Sequence, residues 1–176
     1  MIKKLFLIPF VLFSLISLPS WGENLVCKYT GFNCPEIDDF KELVFLDGLY
    51  YKKFTDVPFT GKITGKSQGS FKDGKSEGLW KYFHDNGKLR EKGNFKDGKK
   101  EGAWRTYHEN GQLDEKQNYK NGKKEGFWER YYNNGQLWTK RNYKDGKKEG
   151  PWVSYWIDGT VIEGNTGTYK NGVKVD

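Results

Sequence analysis

Gly74, Gly98, Gly122 and Gly146 stand 24 residues apart, and the chain rewrites the same line around each of them. Trp80, Trp104, Trp128 and Trp152 recur two residues after Gly78, Gly102, Gly126 and Gly150. Phe83, Tyr107, Tyr131 and Tyr155 follow three residues later, and then Asn86-Gly87, Asn110-Gly111, Asn134-Gly135 and Asp158-Gly159. Leu89, Leu113, Leu137 and Val161, then Phe95, Tyr119, Tyr143 and Tyr169, complete the unit; the last copy carries a short insertion near Gly164–Gly167. A catalytic motif is needed once. A fixed period of this length instead builds an array in which each unit stacks on its neighbours.

Each unit holds two Asx-Gly pairs, and that decides the secondary structure. Asn-Gly and Asp-Gly between apolar alternations are the strongest short hairpin signal, because both central residues of a type I′ turn need positive φ. Two such turns per unit make an uninterrupted antiparallel meander. Composition agrees: the chain has 22 glycines, a single alanine and 17% aromatic residues, which suits short strands joined by turns. The expected fold is all-β, an elongated single-layer antiparallel meander of about five hairpin repeats with a small disulfide-looped N-terminal cap. Counting from two-residue turns, Trp128 faces Arg141, Tyr132 faces Leu137, Tyr143 faces Lys148 and Thr139 faces Trp152. Trp128, Tyr132, Leu137, Tyr143 and Trp152 then share one face, on which Gly126 and Gly150 leave room for the neighbouring indoles, and the Tyr131 column lies on the other.

Residues 1–22 follow different chemistry. Lys3 and Lys4 precede the apolar run LFLIPFVLFSLISL, and Ser20-Trp21-Gly22 sets small residues before Glu23, which is the pattern of a cleaved secretory signal peptide. The protein is therefore expected to be periplasmic or secreted. In that setting Cys27 and Cys34, the only two cysteines, read as one small disulfide loop. Residues 23–46 are expected to cap the array, which occupies 47–176. PEIDDFKEL suggests a helical turn or two with Ile37, Phe40 and Leu43 on one side, and LVFLDGLYYKK a hairpin around Asp47-Gly48.

No catalytic constellation emerges. His84 and His108 occupy the same column of successive units, two strands apart, too far to share one metal comfortably. GKITGKSQGS (61–70) lacks phosphate-loop spacing and reads as a shortened repeat. No enzyme, no metal and no cofactor is expected. The lysines at the Asp-Gly corners are interspersed with acids, as in Lys147-Lys148-Glu149, which reads as a solubilising edge and does not point to nucleic acid.

The line GKKEGxWxxYxxNGQLxxKxNYKDGK resembles the MORN repeat variant, and over 47–176 the chain resembles the bacterial YwqK-type antitoxins of toxin–antitoxin systems. The resemblance implies a repeat scaffold reused for protein and lipid contacts, and an antitoxin- or immunity-like role against a toxin. The expected function is non-enzymatic binding of a protein partner by an exported monomer. The second reading is an envelope-associated module that contacts glycan or anionic lipid headgroups. Tyr107, Tyr131, Tyr155 and Trp138 are the candidate binding residues. Trp80, Trp104, Trp128 and Trp152, with Gly78, Gly102, Gly126 and Gly150, are the structural columns.

Overall fold

The computed structural model describes residues 34–38 and 40–176. The segment read as a signal peptide, and Cys27, lie outside the described residues. Cys34 is not a free thiol.

The first strands are β1 (Glu36–Ile37), β2 (Leu43–Leu46), β3 (Leu49–Lys52), β4 (Gly61–Ile63) and β5 (Ser67–Lys72). The repeats supply β6 (Lys75–Phe83), β7 (Leu89–Lys96), β8 (Lys99–Tyr107), β9 (Leu113–Lys120), β10 (Lys123–Lys124) and β11 (Gly126–Tyr131). The rest are β12 (Leu137–Lys144), β13 (Lys147–Lys148), β14 (Gly150–Ser154), β15 (Gly167–Lys170) and β16 (Val173–Lys174). Fourteen of these form one sheet in chain order from β4 to β16, and β2–β3 form a separate two-stranded sheet. The fold is all-β, and the long sheet is a meander. Among the described residues its one parallel pairing is β1 on β4, where Ile37 faces Ile63.

The two kinds of Asx-Gly turn differ, against the expectation that both are type I′. At Asp73-Gly74, Asp97-Gly98, Asn121-Gly122 and Asp145-Gly146 both residues have positive φ, as a two-residue I′ turn requires. At Asn86-Gly87, Asn110-Gly111 and Asn134-Gly135 only the glycine does. There a three-residue loop is closed, as by the Tyr132 amide on the Gln136 carbonyl at 2.8 Å, and the Asn134 side chain accepts the Gln136 amide at 3.0 Å. An Asx side chain that satisfies the backbone two residues on stabilises this wider turn, the type I loop followed by a left-handed glycine.

The wider turn corrects the register. Trp128 faces Arg141 as expected, but a bulge at Arg130/Tyr131 pairs Tyr131, not Tyr132, with Leu137. The leucine column therefore joins the tyrosine face. A second shift falls near the Glu-Gly pairs: Tyr143 faces Lys148, yet Thr139 faces Ser154 in place of Trp152. The cause is the conformation of Gly78, Gly102, Gly126 and Gly150, whose φ of 65–69° marks an insertion in the strand. These glycines do not make room for indoles: a Cβ on Gly78, Gly102 or Gly126 would meet nothing within 4 Å.

The glycines that do are Gly69 and Gly93. A Cβ there would lie 2.2 Å from Trp80 Cδ2 and 2.1 Å from Trp104 Cδ2 respectively. The two indoles thus rest on bare backbone, and both are 0% exposed. In later units the column holds Gln117 and Arg141, and the Arg141 guanidinium lies 5.1 Å from the Trp152 ring.

On this face the rings run as a ladder, Phe71, Trp80, Phe95, Trp104, Tyr119, Trp128, Tyr143, Trp152 and Tyr169, with successive centroids 4.9–6.4 Å apart. Aromatic pairs of this kind contribute roughly 0.5–1.5 kcal/mol beyond burial. The indole N–H groups of Trp104, Trp128 and Trp152 donate to the carbonyls of Asn94, Asn118 and Asn142 at 3.1, 3.3 and 3.0 Å.

The N-terminal segment covers one end of the ladder. PEIDDFKEL makes a single 3-10 turn, Phe40–Glu42, while Ile37 extends the sheet; Ile37, Phe40 and Leu43 meet in one cluster, as expected. That turn places the Phe40 ring 5.9 Å from Trp80 and 6.0 Å from Phe71. The hairpin at Asp47-Gly48 forms as expected, but it lies off the long sheet and brings Tyr50 to 4.9 Å from Phe71. Ile37, Leu43, Phe59, Ile63, Phe71, Trp80 and Trp104 make the buried core.

Candidate functional site

Backbone-directed side chains bind each unit to the next, and they dispose of most polar groups that could otherwise suggest chemistry. The carboxylates of Glu77, Glu101, Glu125 and Glu149 accept the amides of Asp97, Asn121, Asp145 and Asn171 at 2.7–2.9 Å. Each corner turn is thereby capped by the preceding unit. At the opposite edge His84 Nε2 meets the Tyr107 carbonyl at 2.8 Å, and His108 Nε2 meets that of Tyr131 at 3.1 Å. A carbonyl only accepts, so Nε2 carries the proton in both rings. Tyr132, in the same column, donates its hydroxyl to the Tyr155 carbonyl at 2.8 Å. The histidines are spacers between units.

The corner lysines also have a structural share that the sequence reading missed. Lys100, Lys124 and Lys148 lie 3.9, 4.1 and 4.4 Å from the ring centres of Trp104, Trp128 and Trp152. Burial against the rings lowers the Lys124 pKa. Cation–π contacts contribute about 0.5–2 kcal/mol as desolvation increases.

Three units of this construction, at residues 76–97, 100–121 and 124–145, match the model of the MORN repeat variant. These three units are similar to the MORN repeat variant. No curated protein matches the chain.

These units leave their second face open. Tyr107, Tyr131 and Tyr155 lie there, half-buried, beside the leucine column, with Tyr107 paired to Leu113 and Tyr131 to Leu137. Trp138 does not join them. It stacks on Tyr132 at 5.5 Å and under the Arg130 guanidinium at 4.7 Å, in a recess shared with Trp128 and Arg141 on the indole face. The candidate residues thus divide between two faces.

Tyr131 is the centre of a charged group. Its hydroxyl donates to Glu129 at 2.7 Å, and the Lys116 ammonium lies 3.3 Å from the same carboxylate and 5.1 Å from the ring. The Tyr131 hydrogen bond, then those of Lys116 and Lys140, hold the Glu129 carboxyl below the usual carboxylate range. Bonds to Tyr131 and Glu129 raise Lys116. Burial raises Tyr131 itself. In the previous unit Tyr107 has no such carboxylate; Lys92 lies 5.9 Å from its ring.

One feature of this face is invisible without the register. Gln68, Lys81, Lys92, Arg105, Lys116, Glu129 and Lys140 are successive cross-strand partners, forming a row that crosses the strands. In sequence they are scattered through three units and the shortened repeat before them. The sequence signals are Lys81 and Arg105, two residues before Phe83 and Tyr107, and Lys92, Lys116 and Lys140 at the 24-residue period; they need the bulged register to become a row.

Proposed function

We propose that the protein is a non-enzymatic repeat scaffold, exported to the periplasm or secreted, that binds another protein through the tyrosine face of its MORN-type array. The observation that carries the reading is the inequality of the two faces. The indole face is consumed by the ring ladder, the lysines that cover it and the N-terminal cap. The tyrosine face keeps a depression of about 680 Å³ lined by residues such as Leu79, Ala103, Tyr107 and Leu113. Aromatic, amphipathic anchors beside aliphatic side chains are what protein interfaces use as hot spots. Antitoxin- or immunity-like neutralisation of a toxin is the narrower form of this proposal. It adds that the captured protein is harmful when free.

The test is recovery of a stoichiometric protein from periplasmic extract on the immobilised mature chain, repeated with Tyr107, Tyr131 and Tyr155 replaced by serine. The triple variant should keep its fold and lose at least tenfold in retention, the loss expected when hot-spot anchors are truncated. A folded variant that retains the partner at full strength would remove the tyrosines from the site. Co-expression decides the narrower form: the captured protein should arrest growth alone and not with the scaffold.

Export and the Cys27–Cys34 loop belong to the same proposal. Intact mass of the periplasmic product should correspond to a start at Glu23 and one disulfide. A full-length product with free thiols contradicts both. The cations of the tyrosine face favour a second reading, contact with anionic glycan or lipid headgroups. It predicts salt-sensitive sedimentation with vesicles of phosphatidylglycerol.

A further inference from the structure

Four cations, Lys81, Lys92, Arg105 and Lys116, stand directly opposite one another on β6, β7, β8 and β9. Like charges in cross-strand positions destabilise a sheet, so folding alone does not favour this arrangement. Lys116 has Glu129 as a partner, but Lys81, Lys92 and Arg105 form no ion pair among the described residues. Arg105 donates to the carbonyls of Trp104 and Gln117 at 2.8 and 3.3 Å, which orders its guanidinium without neutralising it. The corner lysines differ: they alternate with the turn aspartates and with the carboxylates of Glu77, Glu101, Glu125 and Glu149. Lysines also face each other at the corners, as Lys96 faces Lys99 and Lys120 faces Lys123, but each of those pairs flanks a single turn, whereas the central row carries one sign across four successive strands.

From this row we infer that β6–β9 bind a short carboxylate-rich segment of a protein partner, with Tyr107 and Leu113 as its apolar contacts. The inference rests on the scaffold reading above and names the chemistry of its partner. Two limits on the row favour a short acidic segment over a long polyanion. Its length is three strand intervals, about 14 Å, which an extended peptide crosses in about four or five residues. Its ends are uncharged Gln68 and anionic Glu129, and a polyanion continuing along the sheet would meet that carboxylate. The aliphatic and aromatic border, Leu79, Ala103, Tyr107 and Leu113, matches mixed side chains and has no counterpart in a phosphate backbone.

The probe is a fluorescein-labelled hexaglutamate peptide, titrated by anisotropy against the mature chain. Two triple variants remove equal charge: Lys81→Gln, Lys92→Gln, Arg105→Gln in the row, and Lys96→Gln, Lys120→Gln, Lys144→Gln at the corners. The row variant should bind at least tenfold more weakly, and the corner variant within threefold of the parent. Circular dichroism melts show whether each is folded, and single substitutions replace any triple that is not. Equal losses in both variants overturn the inference, because net charge then suffices. Tighter binding of a long oligothymidylate or of phosphatidylglycerol vesicles than of hexaglutamate also overturns it. Loss of hexaglutamate affinity while a stoichiometric partner is still captured at full strength moves the contact off the row and leaves the scaffold reading intact. Failure to recover any protein partner removes the scaffold reading, and with it the assignment of the row to a protein segment, even where hexaglutamate binds as expected.

Discussion

Gly93 and Trp104 offer the most direct test of how the array holds together. An alanine Cβ at position 93 would lie 2.1 Å from Cδ2, 2.3 Å from Cε2 and 2.4 Å from Cγ of the indole. The indole is a rigid plate, fully buried between Phe95 and Tyr119, with its N–H held by the Asn94 carbonyl at 3.1 Å. It must move, and over-packing a filled site costs about 1–3 kcal/mol. Losing the indole hydrogen bond adds about 1 kcal/mol. With a urea dependence of roughly 1–3 kcal/mol per molar, the midpoint of Gly93→Ala should fall by about 1–2 M. Trp104→Ala alone should cost about 3–5 kcal/mol. In that background the new methyl meets a cavity, and relief of the glycine's backbone entropy, about 0.5–1 kcal/mol, makes Gly93→Ala neutral or stabilising. The double-mutant cycle should therefore show a coupling of about 2 kcal/mol or more, well above the few tenths expected of independent sites. Equal costs of Gly93→Ala in the two backgrounds would refute the argument that the glycine exists to seat the indole. Gln117→Ala, in the same column one unit on, should change stability by less than about 1 kcal/mol, because that position already carries a side chain.

Lys92→Glu replaces two like-charge cross-strand pairs by opposite ones and should raise stability by about 1–2 kcal/mol, read as a higher urea midpoint, while abolishing hexaglutamate binding. Glu101→Gln weakens the cap on the Asn121 amide and should cost about 0.5–1.5 kcal/mol, with the loss appearing as faster hydrogen exchange at the Asn121 amide. Burial, then Glu91, pushes the Tyr82 phenol up to about 12, and burial, then Glu91, does the same for Tyr119. Both rings fold best protonated, so their contribution is complete below the unfolded value of about 10 and is lost as pH rises towards 12. Thermal melts should fall across that window, and Tyr119→Phe should flatten the fall.

Much of the architecture was legible in the sequence because a repeat states its own period. The columns of Trp80 and Phe95 identify one buried face, and the Asp-Gly turns fix the local pairing of Tyr143 with Lys148, because a type I′ turn admits one register. Beyond the corners the register was legible at Trp128 and Arg141 but not at Leu137 or Trp152. Asn134-Gly135 and Asp145-Gly146 look alike as dipeptides, yet the first closes a wider loop in which the Asn134 side chain accepts the Gln136 amide. Gly126 and Gly150 looked like space for indoles, and their role as left-handed insertions appears only in φ.

The sequence alone determined that this chain is a strand-and-turn array and that its repeated tryptophans lie on one face. Those properties are local and periodic, so composition, turn chemistry and spacing carry them. Tertiary structure decided what depends on strands meeting across the sheet. It placed Gly93 under Trp104, brought Phe40 over Trp80, moved the leucines to the tyrosine face, and aligned Lys81, Lys92, Arg105 and Lys116 into one row. Apart from Phe40, which its 3-10 turn places, each turns on a bulge in the strand pairing, and in a sheet such a shift changes the partners beyond it.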